Sequence, residues 1–218
     1  MTPDIERAAI AAAETLIRYS VTTAPVDPIR ILKSMPNVML VSYTEMAGTS
    51  GVEREQLMSV FGDYADTSAF VRRVDGELRY LIAYNMRLPI YLIQRAMARE
   101  LAHIVLGHDG SREDGVRTAE AQVFAYHLIC PRALVRAIQE SNVRFSTEVL
   151  GNMTSCFERC LAGMSKVPGV RVPAALNRQI RAQFSDYIDE FVRIQPLLSK
   201  GDDSRLADFG SYMDLYEE

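Results

Sequence analysis

Two apolar runs free of glycine, joined by a short charged loop, constrain this chain more than any other feature. The first reads IYLIQRAMARELAHIVL and the second TAEAQVFAYHLICP. Apolar residues at Ile90, Ile93, Met97, Ala98, Leu101 and Ile104 predict a helix over 90–106 that is buried on much of its surface. A second helix is expected over 116–129, stopped by Pro131. Gly107 and Gly115 bracket the loop between them. In helices this apolar, the polar side chains stand out. The first carries Arg99, Glu100 and His103, and the second carries Glu120 between two alanines. Burying a carboxylate without partners is expensive. A shared cleft therefore accounts for these side chains better than a solvated face does, although Glu120 near its helix start also suits the helix dipole.

The spacing is chemically specific. Positions four apart lie on one helix face, one turn from each other. Two histidines so placed can chelate zinc, and a glutamate beside the first can act as base on metal-bound water. This chain has Arg99-Glu100-Leu101-Ala102-His103 instead. Arginine has no acceptor lone pair and stays protonated, so the base position survives at Glu100 while one metal ligand is lost. Zinc would need His103, Glu120 and a third ligand such as His108, Asp109 or His127. His108 lies ~140° around a continuous helix from His103, which makes it a peripheral, exposed loop histidine. His127 shares a face with Glu120 but sits ~10 Å along the axis, as a peripheral wall or core histidine. Arg99 either reaches out to solvent or places its guanidinium in the vacated metal position, paired with Glu120.

These residues carry a family resemblance. ARELAHIVLGH and EAQVFAYHLICP are similar to the A-H-E-L-x-H motif and the E-A-x-x-F-A-x-x-L-x-x-P helix of the ImmA/IrrE metallopeptidase-like proteins. Looser likeness runs through PVDPIRIL and LIAYN to FSTEVLGNMTSCFERC, covering about residues 5–162. The resemblance implies a zincin-like core, Glu100 as general base, and His103 and Glu120 as zinc ligands, with Arg99 at the family's first ligand position. It also implies a setting in phage or mobile-element regulation, with a transcriptional repressor or other regulator as the partner or peptide substrate.

The remaining elements point to an α+β fold. A helix is expected over 5–19, capped by Asp4 or Thr2, and a short one over 29–34, capped by Asp27 and stopped by Pro36. Strands are expected over 38–43, 69–74 and 77–84, the last two joined by the hairpin signal Asp75-Gly76. Residues 44–51 read as a polar, glycine-punctuated connection, and 53–61 as a short helix or irregular crossing. Further helices are expected over 132–140, 146–164 and 174–195, with Pro168, Gly169 and Pro173 as a rigid linker, Pro196 as a stop and an acidic tail from Lys200. The expected organisation is a metallopeptidase-like domain over 1–165, with 166–218 packed on it as a helical C-terminal region.

Composition narrows the function classes. Net charge −4 and pI near 5.5 argue against nucleic acid as the main partner. The helices over 132–140 and 146–164 could mimic a helix-turn-helix, but they carry few basic residues. No apolar run reaches the ~20 residues of a membrane span. The first twenty residues mix acids with apolar residues and lack a basic leader, and three cysteines without a secretory signal suit reduced thiols in a cytoplasm. Cys156 and Cys160, four apart, read as buried small residues rather than half a metal site. The expected protein is cytoplasmic and catalytically impaired, uses no cofactor and acts by binding a protein. The alternative is an active zinc endopeptidase with an unusual metal site.

Overall fold

The computed structural model describes residues 2–51, 53, 56, 67–74, 76–108, 113–141 and 170–198. Most of 53–61, the helix expected over 146–164 and the acidic tail lie outside them. The chain forms two compact units, Asp27–Leu101 and a second made of Met1–Val26 with Ala102–Glu218. The fold is α+β, and the strands among the described residues all lie in the first unit.

That first unit begins with α2 (Pro28–Lys33), which has Pro28 at its start and the Asp27 side chain accepting from Ile29 N–H. Strands β1 (Val38–Ser42), β2 (Thr67–Val74) and β3 (Glu77–Tyr84) form one mixed sheet in the order β1-β3-β2. The β2–β3 hairpin pairs Val74 with Glu77 across the expected two-residue turn, with Gly76 at φ +83°. β1 runs parallel to β3, and Tyr80 N–H donates to the Asn37 carbonyl at 2.9 Å to extend the pairing.

Residues 43–50 correct the sequence reading. They are helical, not a connection: α3 spans Tyr43–Ser50, so β1 ends at Ser42. The cause is a complete capping box. Ser42 Oγ accepts from Glu45 N–H at 3.1 Å, and Glu45 Oε2 accepts from Ser42 N–H at 2.7 Å. Gly51, at φ +68°, closes the other end. Tyr43 is thereby turned inward against Ala83, Val41 and Met46.

The second unit is helical. α1 (Ile5–Arg18) packs on α5 (Asp114–Ile129), and its alanines at 8, 9, 12 and 13 are buried, which lets the two helix backbones approach closely. α5 is buried nearly all round from Ala121 to Ile129, and Phe124 and Leu128 are fully covered. Burying a side chain of that size contributes about 1.5–3 kcal/mol. α6 (Arg132–Glu140) follows Pro131 at once. The helix expected over 174–195 is two, α7 (Ala174–Gln183) and α8 (Ser185–Leu198), meeting at the buried Phe184, whose φ of −95° and ψ of 10° interrupt regular helix. Pro196 falls in the last turn of α8, so the helix ends two residues beyond the expected stop. α7 packs on α1 and α6, and α8 on α6. Gln183 Nε2 donates to the Leu16 and Val21 carbonyls at 2.8 and 2.6 Å, covering the C-terminal end of α1. Helix α4 (Ile90–Val105) runs unbroken from the first unit into the second. Among the described residues no helix is long and apolar enough to cross a membrane.

Candidate functional site

The end of α4 decides where the polar residues go. Gly107 has φ +64°, a conformation that glycine adopts without strain. Gly107 N–H donates to the Ile104 carbonyl at 3.2 Å and His108 N–H to the His103 carbonyl at 2.9 Å. This pair of bonds is the Schellman closure, which folds the residue after the glycine back over the helix's last turn. Here that residue is His108. Its ring lies against His103, with centroids 5.0 Å apart, and the two Nδ1 atoms are 2.8 Å apart. The His108 side chain is 1 % exposed, so the expected peripheral loop position is corrected. The helix does not continue through Gly107, and the angular estimate that put His108 on the far side assumed that it did.

Glu120 completes the cluster. Its carboxylate, 2 % exposed, meets His108 Nε2 at 2.8 Å through Oε2 and accepts from Asp4 N–H at 2.8 Å through Oε1. Asp4 is also the N-cap of α1, its side chain accepting from Arg7 N–H at 3.0 Å, so the positive end of that helix faces the Glu120 carboxylate. Arg7 in turn donates from Nη2 to the Leu106 carbonyl at 2.8 Å, satisfying an orphan acceptor at the end of α4. One carboxylate, two imidazoles, a helix start and a helix end are thus fastened together by side-chain and capping bonds.

The proton count follows from these contacts. An ionised Glu120 accepts from His108 Nε2–H. His108 Nδ1 is then either an acceptor from His103 Nδ1–H, with both rings neutral, or a second donor on an imidazolium. Both patterns satisfy the chain Glu120–His108–His103 and differ by one proton. The donors do not converge on one point, because the two ring nitrogens of His108 face different neighbours. As placed, these three residues do not fit a zinc ion, which needs its ligand atoms around a common centre. Among the described residues no group of three His, Cys, Asp or Glu side chains is placed to hold a metal ion.

Glu100 has a different setting. It accepts from Thr67 Oγ1 at 2.6 Å, which links α4 to the first residue of β2. Burial pushes its carboxyl above the ordinary range, while the Thr67 hydrogen bond and the Arg99 charge pull the other way. The desolvation dominates, as expected of a carboxylate beside the fully buried Leu101 and Ala98. Both Glu120 oxygens have partners inside their own unit.

His127 is a core histidine, 7 % exposed. Burial first and the Arg132 charge second bring its pKa down to about 3, so it stays neutral and contributes no charge. Asp109 lies outside the described residues. Sequence reasoning missed the backbone role of Asp4, the Arg7 cap and Thr67. The Leu-Gly-His signature of a helix end was the available sign for His108; nothing in the sequence pointed to Arg7 or Thr67. Comparison with known proteins finds no matching family, no matching curated protein and no matching solved structure.

Proposed function

We propose that this is a metallopeptidase-like protein in which a hydrogen-bonded side-chain cluster stands where a zinc site would, and which acts by binding a protein partner. The reading keeps the resemblance to the ImmA/IrrE proteins and their zincin-like core, with phage or mobile-element regulation as its setting and a repressor-type regulator as its partner. One observation supports it above others: His108 uses both ring nitrogens to bridge His103 and Glu120. The side chains that would hold a metal are spent on one another, and in the sequence Arg99 stands where the family motif has its first ligand. Glu100, partly buried and shifted toward its protonated form, is the acid that would face a bound peptide.

A second reading, a zinc endopeptidase with Glu100 as base, draws on the same gathering of two imidazoles and a carboxylate. It requires His108 to turn away from one neighbour. Metal analysis of protein purified without chelator separates the two. The binding reading expects substoichiometric zinc in the wild type and a gain of zinc in Arg99→His, which restores the i, i+4 histidine pair. Stoichiometric wild-type zinc, lost in His103→Ala, overturns it in favour of the peptidase. No gain in Arg99→His removes the zincin premise from both.

A further inference from the structure

We propose that a pocket between α6, α7 and the segment 170–173 binds a small molecule carrying two or more phosphate groups. The pocket encloses about 580 Å³, within the ~300–1,000 Å³ typical of small-ligand sites. Among the described residues it is lined by Arg132, Arg136, Arg171, Arg178 and Arg181 and by one carboxylate, Glu140. The chain as a whole is acidic, net −4. This concentration of guanidinium groups is therefore a local feature that overall charge conceals.

Like charges gathered in one concavity repel each other, and a multivalent anion relieves that repulsion. Guanidinium groups present forked donors that match phosphate oxygens in pairs, which a lysine ammonium does not. Neither α6 nor α7 carries an acid in its first turn, so no internal carboxylate competes there and the positive helix ends favour an anion. Ala133, Val170, Val172 and Ala174 give the pocket an apolar part that suits the uncharged body of a ligand. The walls are already braced. Arg132 Nη1 donates to the Val170 carbonyl at 3.3 Å, Asn177 Nδ2 donates to the Val172 carbonyl at 3.1 Å, and Arg181 pairs with Glu140 across α6 and α7. Arg171 and Arg178 are exposed and have no carboxylate partner among the described residues, so they are the groups available to a ligand. The acidic remainder of the chain repels a long polyanion, which favours a small phosphate compound over nucleic acid.

Isothermal titration of the full chain at low ionic strength, with pyrophosphate, ATP, adenosine and citrate as separate probes, tests the proposal. ATP and pyrophosphate should bind one to one and adenosine alone should not. The double variant R171A/R178A should weaken ATP binding at least tenfold, about 1.4 kcal/mol, at an unchanged melting temperature. R171K/R178K, which keeps charge and loses the fork, should fall between. Absence of ATP and pyrophosphate binding overturns the proposal. So does citrate binding as tight as pyrophosphate, ATP affinity indifferent to R171A/R178A, or a short DNA duplex binding more tightly than ATP.

Discussion

Glu120 is buried and Glu100 half-buried, and the two units treat them in opposite ways. Glu120 lies in the helical unit with a partner on each oxygen, one a backbone N–H at the start of α1 and the other an imidazole. Glu100 lies in the sheet-containing unit with a hydrogen bond from the Thr67 hydroxyl and a carboxyl raised by desolvation. The first acid is built into the fold as a fastener. The second is held at a cost, and a perturbed, partly buried acid kept at a cost is the better candidate for chemistry or recognition. The two acids thus differ in how fully their hydrogen bonds are met.

The largest effect should come from cutting the fastener. Glu120→Ala leaves the Asp4 N–H and the His108 ring without their acceptor in a dry site, and breaking such a buried pair costs about 3–5 kcal/mol. Urea unfolding measures it. Glu120→Gln, which retains an acceptor for Asp4, should cost less. A loss below about 1 kcal/mol for Glu120→Ala, the net worth of one ordinary hydrogen bond, would erase the distinction between the two acids. Gly107→Ala comes next. A Cβ there meets nothing within 4 Å, so the cost is purely that of a left-handed backbone at φ +64°, about 1–2 kcal/mol. The same variant should shift the His103 and His108 ring resonances, because the turn that pairs them is what the glycine permits. Unmoved resonances would mean that the pairing does not depend on the helix closure.

How much of this was legible depends on whether the signal is local. The Asp75-Gly76 hairpin and the Pro131 stop are written in adjacent residues, and they were read correctly. α3 is equally local, since Ser42 and Glu45 have capping-box spacing, but the glycines at 48 and 51 give the same stretch the look of a loop. His108 failed for a geometric reason: an angle extrapolated through Gly107 is valid only if the helix continues. The bonds from Arg7 to Leu106 and from Gln183 to Leu16 join residues 99 and 167 positions apart and leave no periodic trace. The same is true of the pocket arginines, which α6 and α7 bring together from separate stretches. The boundary between Asp27–Leu101 and the helical unit leaves no mark in composition either, because it cuts α4 instead of falling in a linker.

Glu100→Gln should act in the opposite direction to Glu120→Ala. A carboxyl raised in the folded state favours folding fully only below its ordinary pKa of 4.5, and that contribution is lost as pH rises through the folded value. At neutral pH the ionised group is therefore a liability. Glutamine removes the charge and still accepts from Thr67, so the variant should be more stable than wild type at pH 7. The gain should be smaller than one hydrogen bond, about 1 kcal/mol, and should vanish as pH falls below 4.5. Thermal melts across pH 3–8 read it. A Glu100→Gln protein destabilised at pH 7 would place Glu100 with Glu120 among the satisfied acids.

The smallest effect calibrates the other two with an acid left in water. Glu45 is fully exposed, and its carboxyl is lowered first by the Ser42 backbone N–H and then by the Ser42 hydroxyl. A lowered carboxyl stabilises the fold above its ordinary pKa of 4.5, and that contribution is lost as pH falls through the lower folded value. Its pH dependence therefore has the opposite sign to that of Glu100. Ser42→Ala removes the hydroxyl acceptor at the start of α3 while leaving the Glu45 side chain free to bond the residue-42 N–H. N-cap losses of this kind cost about 1 kcal/mol. Glu45→Gln should cost less still, most above pH 4.5 and nothing once pH lies below the lowered folded value, because the amide oxygen can take over the bond but not the charge. Melting curves of the two variants from pH 7 down to an acid pH at which Glu45 is protonated should show Ser42→Ala weakened throughout and the Glu45→Gln deficit fading as pH falls. A Glu45→Gln deficit that stays constant across that range would mean that shape, not charge, holds the cap, and the sign contrast with Glu100 would lose its solvent-exposed reference.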